Sequence, residues 1–276
     1  MGGSMPSYNR LLVASSKGGV GKSTTALGLA AAFASDDSRP DFSPNVLLLD
    51  LDVNSRSLDI LSGCEDRALF DIGDVLDDDP CRMAVTNVWG LERLSLIRAC
   101  TAEKLRSLAC EHGVDEMAAV RMITEKILEC GAYDIVVCDT GGGLEIALAV
   151  ADLFGFSVIT SEQSKTSIRA AEYAACQLSR AGADVMRLVI CSFDLFAVKK
   201  EKRAGVIEMI DSSSLQCVGV VPFDRKLQSA QDKGTLPDKK SVSQAAYRNI
   251  AKRIMGYDVP LFSGIKSVEK KKHLAF

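Results

Sequence analysis

Short, almost wholly apolar runs recur along the chain at 11–14, 46–49, 94–97, 135–138, 157–160, 188–191 and 217–221. Runs of that length, rich in valine, leucine and isoleucine, predict strands buried on both faces. Between them lie segments of helical length and spacing, at 23–34, 114–130, 164–180, 199–210 and 241–255. This alternation predicts an α/β fold, a mostly parallel twisted sheet with helices on both faces and right-handed crossovers. Such sheets bind their ligands beyond the carboxyl ends of the strands, so the residues that follow each strand are the ones to read for chemistry.

After the first strand comes Ser15-Ser16-Lys17-Gly18-Gly19-Val20-Gly21-Lys22-Ser23-Thr24, and an alanine-rich helical segment follows at once. Strand, glycine loop, helix is the context a phosphate site requires. Gly18, Gly19 and Gly21 let successive N–H groups, with that of Val20, converge on an anion at the helix N-terminus. Lys22 is then placed to neutralise phosphate charge and Ser23 to ligate Mg²⁺, with Thr24 opening the helix behind them. The strict pattern GxxxxGK[ST] is missed by one residue, because Ser16 stands where its first glycine would be. These residues predict Mg²⁺, a nucleoside triphosphate and a P-loop NTPase fold.

Carboxylates follow two further strands. Asp50 and Asp52 end the second apolar run, two residues apart, so an extended chain points both to one side. If that strand neighbours the first, both face the metal and the γ-phosphate. Asp139 ends the run 135–138 and precedes Thr140-Gly141-Gly142-Gly143. An apolar strand ending in Asp is a Walker B arrangement whose carboxylate holds Mg²⁺, while the glycines let a loop respond to phosphate. Thr140 is a candidate sensor there.

The run KGGVGKST, with its second lysine at Lys17, resembles the deviant Walker A, or MinD/ParA, family of ATPases. The resemblance spans residues 10 to about 257. It implies that Lys17 reaches across a homodimer, formed on ATP binding, to the partner's phosphates, as an arginine finger would. The stretch Asp50-Leu51-Asp52-Val53-Asn54-Ser55-Arg56-Ser57-Leu58-Asp59 is similar to the family's switch segment, D-x-D-x-x-x-R-x-L-D. That match assigns Asp52 to orienting the attacking water and Asp50 to the magnesium shell. Gly219-Val220-Val221-Pro222-Phe223-Asp224 resembles the G-x-I-P-x-D segment beside the adenine, which implies base contacts from Pro222 or Phe223. Asp139-Thr140-Gly141-Gly142-Gly143 departs from the family's D-S-P-A-G.

Composition narrows the setting. The 276 residues carry a net charge of −3, not the broad positive field of a protein that coats DNA. Nine cysteines stand singly, no two closer than eight positions and none in a CxxC, which disfavours a zinc site or thiol pair and suits a reducing cytoplasm. No linker divides the chain, so residues 10–258 read as one ATPase domain, 1–9 as an extension or cloning scar before it, and 259–276 as a tail. In the tail Leu261, Phe262, Ile265 and Val268 form an apolar stripe beside four lysines, a pattern that can lie peripherally in an anionic membrane interface or equally belong to a packed or frayed C-terminus. The cluster 199–203 could likewise meet nucleic acid or a membrane.

The expected function is an ATP-driven dimerisation switch in spatial positioning, with an activating protein partner and slow hydrolysis. Two other readings stay open: a partition ATPase that binds DNA, and a metabolic P-loop synthetase or kinase that needs no dimer.

Overall fold

The computed structural model describes residues 8–35, 43–200 and 202–275. Residues 1–7 of the expected extension, and Glu201 of the basic cluster, lie outside them. All seven apolar runs form strands: β1 (Arg10–Ala14), β2 (Val46–Asp50), β3 (Leu94–Ile97), β4 (Ile135–Asp139), β5 (Phe156–Ser161), β6 (Val185–Phe193) and β7 (Cys217–Pro222). They make one sheet in the order β3-β2-β4-β1-β5-β6-β7, every pairing parallel. β2, β4 and β5 are buried throughout, because helices cover both faces of the sheet.

The described α-helices are α1 (Lys22–Ala34), α2 (Leu58–Ser62), α3 (Pro80–Met83), α4 (Ala102–Glu111), α5 (Glu116–Glu129), α6 (Glu145–Val150), α7 (Lys165–Arg180), α8 (Leu195–Lys199), α9 (Val206–Ser213), α10 (Arg225–Gln231), α11 (Val242–Ile254) and α12 (Lys266–Glu269). α4 carries no long apolar run, yet its start is written in Thr101, whose hydroxyl accepts from the Lys104 amide. The helix expected at 199–210 is instead two short ones. Asp194 caps α8 through the Phe196 and Ala197 amides, and the extended Gly205 begins α9 afresh.

Helix α1 is buried nearly all round, and its small side chains let α11 approach closely. A Cβ on Gly28 would lie 2.5 Å from the Tyr247 ring, itself almost wholly buried. Gly28→Ala is therefore expected to cost about 1–3 kcal/mol through overpacking, read as a lowered Tm in thermal denaturation. An unchanged Tm would mean that the two helices are not held at this distance.

Of the two readings of the tail, the structure shows the packed one. Phe262, Ile265, Val268 and Ala275 are buried in the same core as the sheet, with the Phe262 ring 6.3 Å from that of Phe193. Arg253 donates to the carbonyls of Val259 and Pro260, and Asn249 to that of Ser263. The apolar stripe that could have met lipid faces the protein instead. Stripe periodicity shows that a face becomes buried, not what buries it. No helix among the described residues is long and apolar enough to cross a membrane.

Candidate nucleotide site

The loop between β1 and α1 sits at the carboxyl edge of the central strand. Gly19 and Gly21 take positive φ, +75° and +90°, which turns the chain tightly into the helix. Gly18, Gly19, Gly21, Lys22, Ser23 and Thr24 line a cavity of about 310 Å³, closed on the far side by Asp52, Ser55, Ser57, Leu61, Gly141 and Gly142. The Val20 side chain is buried at 1% exposure, so only its backbone remains for a ligand.

The strand order places the carboxylates. β2 does not neighbour β1 as the condition on Asp50 and Asp52 required; β4 lies between them. Asp139 is thereby in register with Val13 on one side and Asp50 on the other. Asp50 does not open onto the cavity. It is buried behind it, accepting from the Asp52 amide at 2.9 Å and the Leu58 amide at 3.4 Å. Desolvation and then the Asp139 charge raise its pKa well above the usual carboxylate range. Its visible work is to hold the segment that carries Asp52. Asp52 does face the cavity, its Oδ1 accepting from the Asn54 and Ser55 amides, and the backbone of Gly141 lies directly against its carboxylate.

Asp139 is fully buried, and its Oδ2 has no hydrogen-bond partner. Burial pushes its pKa up to about 6, while the Ser23 hydroxyl and the Gly141 amide pull it back. Lys22, 6% exposed, donates to the Lys17 carbonyl at 3.1 Å. Desolvation lowers its pKa, and Asp139 and Asp52 oppose that shift. Lys17 stands apart: it is absent from the cavity wall, and its ammonium lies 4.0 Å from Glu162. Thr140 is not placed as a sensor, because its hydroxyl donates to the Val13 carbonyl at 3.1 Å inside the sheet.

A second cavity, about 190 Å³, adjoins the first and shares Gly19, Gly21 and Thr24 with it. Pro222 and Phe223 line it, as do Cys191, Ser192, Gln228, Gln231 and Tyr247. Cys191 and Ser192 reach it through a register irregularity between β6 and β7, where Ser192 takes φ +51°. The sequence gives no periodic signal for that bulge, nor for Gln231 or Tyr247. Behind the two cavities, the turn ending α2 meets the turn after α10. A Cβ on Gly63 would stand 2.5 Å from the Gly234 carbonyl oxygen, which also accepts from Trp89 Nε1 at 3.1 Å. Trp89 thus pins this junction.

The ParA family profile, described as a NUBPL iron-transfer P-loop NTPase, matches residues 7–255. The septum site-determining protein MinD of Synechocystis is 28% identical over 258 residues, 91% of each chain. The solved MinD of Aquifex aeolicus has a TM-score of 0.76 at 26% identity, over 92% of this chain and 99% of its own. That protein solved in a MinC:MinD complex gives the same score and identity, over 92% and 98%. MinD of Pyrococcus horikoshii, complexed with Mg-ADP, has a TM-score of 0.72 at 16% identity, over 89% and 95%, a likeness of fold. With a parallel sheet, a glycine loop at its centre and this match over most of its length, the chain belongs to the MinD/ParA family of P-loop NTPases.

Proposed function

We propose that the chain is a Mg²⁺-dependent ATPase that dimerises on ATP and acts as a positioning switch of the MinD kind, stimulated by a protein partner. The observation that carries this reading is the opposite placement of two lysines in one loop. Lys22 is buried against Asp139 and Asp52 beside its own cavity, whereas Lys17 points away from that cavity toward Glu162. A cation that does not serve its own site is available to a second copy's.

The residues present fit Mg²⁺ and ATP. Asp52 and Asp139 face a single buried ammonium, that of Lys22, with the buried Asp50 in register beside Asp139, and one Asp139 oxygen lacks any partner. That excess of negative charge favours a further cation. No group of three His, Cys, Asp or Glu able to hold a metal occurs among the described residues. Magnesium suits such a place, since it is usually held by phosphates, waters and one or two protein oxygens. Ser23 would ligate it directly, and Asp139, behind Ser23, through water. Asp50 supports from further back by fixing the Asp52 segment. When bound, the ion would offset charge on the transferring phosphoryl group.

The chain's own groups then have distinct tasks. The amides of residues 18–24 and the Lys22 ammonium bind phosphate oxygens, Asp52 accepts a proton or hydrogen bond from the attacking water, and Pro222 and Phe223 flank the base. The neighbouring loop at 141–143 meets Asp52 and, through the Ser15–Gly143 bridge, the start of the phosphate loop. It is therefore placed to respond to the γ-phosphate.

Lys17→Ala tests the reading. Turnover is expected to fall at least about 10³-fold, as when an arginine finger is lost, with no ATP-induced dimer in light scattering. Folding stability should change by no more than about 1 kcal/mol, because the Glu162 pair is partly exposed. Unchanged turnover and oligomeric state would favour a metabolic P-loop enzyme. Salt-sensitive DNA co-sedimentation with ATP would favour a partition ATPase.

A further inference from the structure

We propose that Gln231 is a nucleotide-binding residue, donating from its Nε2 to the α-phosphate at the junction of the two cavities. The inference rests on the nucleotide reading above and adds a contact that no motif carries.

Gln231 closes α10 and is 8% exposed. Its Oε1 accepts from the Thr24 hydroxyl at 3.4 Å, while Nε2, buried, has no partner. Among the described residues the other buried side-chain polar atoms left unpaired belong to Arg56, Asp139, Ser157 and Thr160. None of those four lines either cavity; Gln231 does. A buried donor without a partner is costly. If Gln231 served only to receive the Thr24 hydroxyl, its amino group would be a liability that an acceptor-only side chain would not carry.

Position and polarity select the ligand atom. Thr24 belongs to both cavities, so its surroundings are where the base-side and phosphate-side parts of a nucleotide meet. Nε2 can only donate, and the strongest acceptor at such a junction is a phosphate oxygen, through a charge-assisted bond. The terminal torsion of glutamine is soft, so a small turn with Oε1 still near Thr24 brings Nε2 to the cavity wall.

The test is calorimetric titration of Mg·ADP and Mg·IDP into the full chain and two variants. Gln231→Met keeps the volume and removes the donor; Gln231→Glu keeps the acceptor for Thr24 and sets a carboxylate against phosphate. ADP affinity is expected to fall about tenfold in Gln231→Met and further in Gln231→Glu. The factor should be the same for IDP, because the base edge is not read, and the ligand-free Tm should stay near that of the parent. Unchanged ADP affinity in both variants overturns the proposal. So does a factor that differs between ADP and IDP, or an affinity loss matched by a drop in ligand-free Tm in both. A parent chain that binds neither nucleotide overturns the underlying reading as well, which separates the two failures.

Discussion

Lys22→Ala is expected to abolish measurable Mg·ADP and Mg·ATP binding by calorimetry and to lower turnover by about 10³-fold or more. The variant should also be less stable without ligand. The Lys22 ammonium is buried with Asp139 and Asp52 as its nearest opposing charges, and removing one partner of a buried ionic group typically costs about 3–5 kcal/mol. Part of that loss is recoverable. At pH 5 the crowded carboxylates can take up a proton, so the stability gap from the parent should be smaller there than at pH 8. Urea unfolding at the two pH values measures the gap. A variant that keeps its affinity for nucleotide would remove the phosphate role from Lys22. Arginine is not expected to substitute, since its planar fork does not fit a pocket shaped for a compact ammonium.

Asp139→Asn should act in the opposite direction on stability and in the same direction on activity. Burial raises the Asp139 pKa to about 6 from the ordinary 3.8, so between those values the folded state holds a proton that the unfolded chain releases. The stability contributed by this group is complete below the unfolded value and is lost as pH rises to about 6. The loss is on the order of 2–3 kcal/mol. Asparagine stays neutral, so the ligand-free variant should match the parent near pH 4 and exceed it at pH 8. Hydrolysis should meanwhile fall by about 10²-fold or more, because the variant lacks the carboxylate to which the proposed mechanism assigns the ion. If Asp139 holds the cation as proposed, protons compete with it for the same carboxylate, and Mg-dependent nucleotide affinity of the parent should weaken below pH 6. A variant less stable than the parent at pH 8 would show that the charge on Asp139 is already compensated by the protein alone.

The parts of this site that could be read from sequence are those made by neighbours in the chain. The phosphate loop is one contiguous stretch whose residue types dictate its conformation, and the strands announce themselves because burial on both faces demands unbroken apolar runs. Asp139 was found as a strand-end carboxylate. Asp50 was found in the same way, but its place beside Asp139 was not, because strand order is set by pairing between distant segments. That order puts β4 between β1 and β2 and brings Asp50 beside Asp139, which turns Asp50 from an expected wall of the metal site into a support behind it. The base-side cavity was only partly legible for the same reason. Pro222 and Phe223 lie in a recognisable segment, but Tyr247 arrives from α11, Gln231 from the end of α10, and Ser192 by a bulge in β6. The tail stayed open between two readings because an amphipathic stripe has the same pattern whether it rests on lipid or on its own protein.

The meeting of Gly63 with Gly234 has a mechanical consequence. One belongs to the turn that ends α2, downstream of Asp52; the other follows α10, which carries Gln231 and Gln228. Their backbones touch with no room for a side chain between them, and Trp89 fastens one of the pair. Neither segment can shift inward by even the width of a methyl group without pushing the other. Under the proposed ATPase reading, a displacement of the segment after Asp52 is therefore handed on to the end of α10, whose Gln228 and Gln231 line the second cavity, and the two ends of the cleft are geared to yield together.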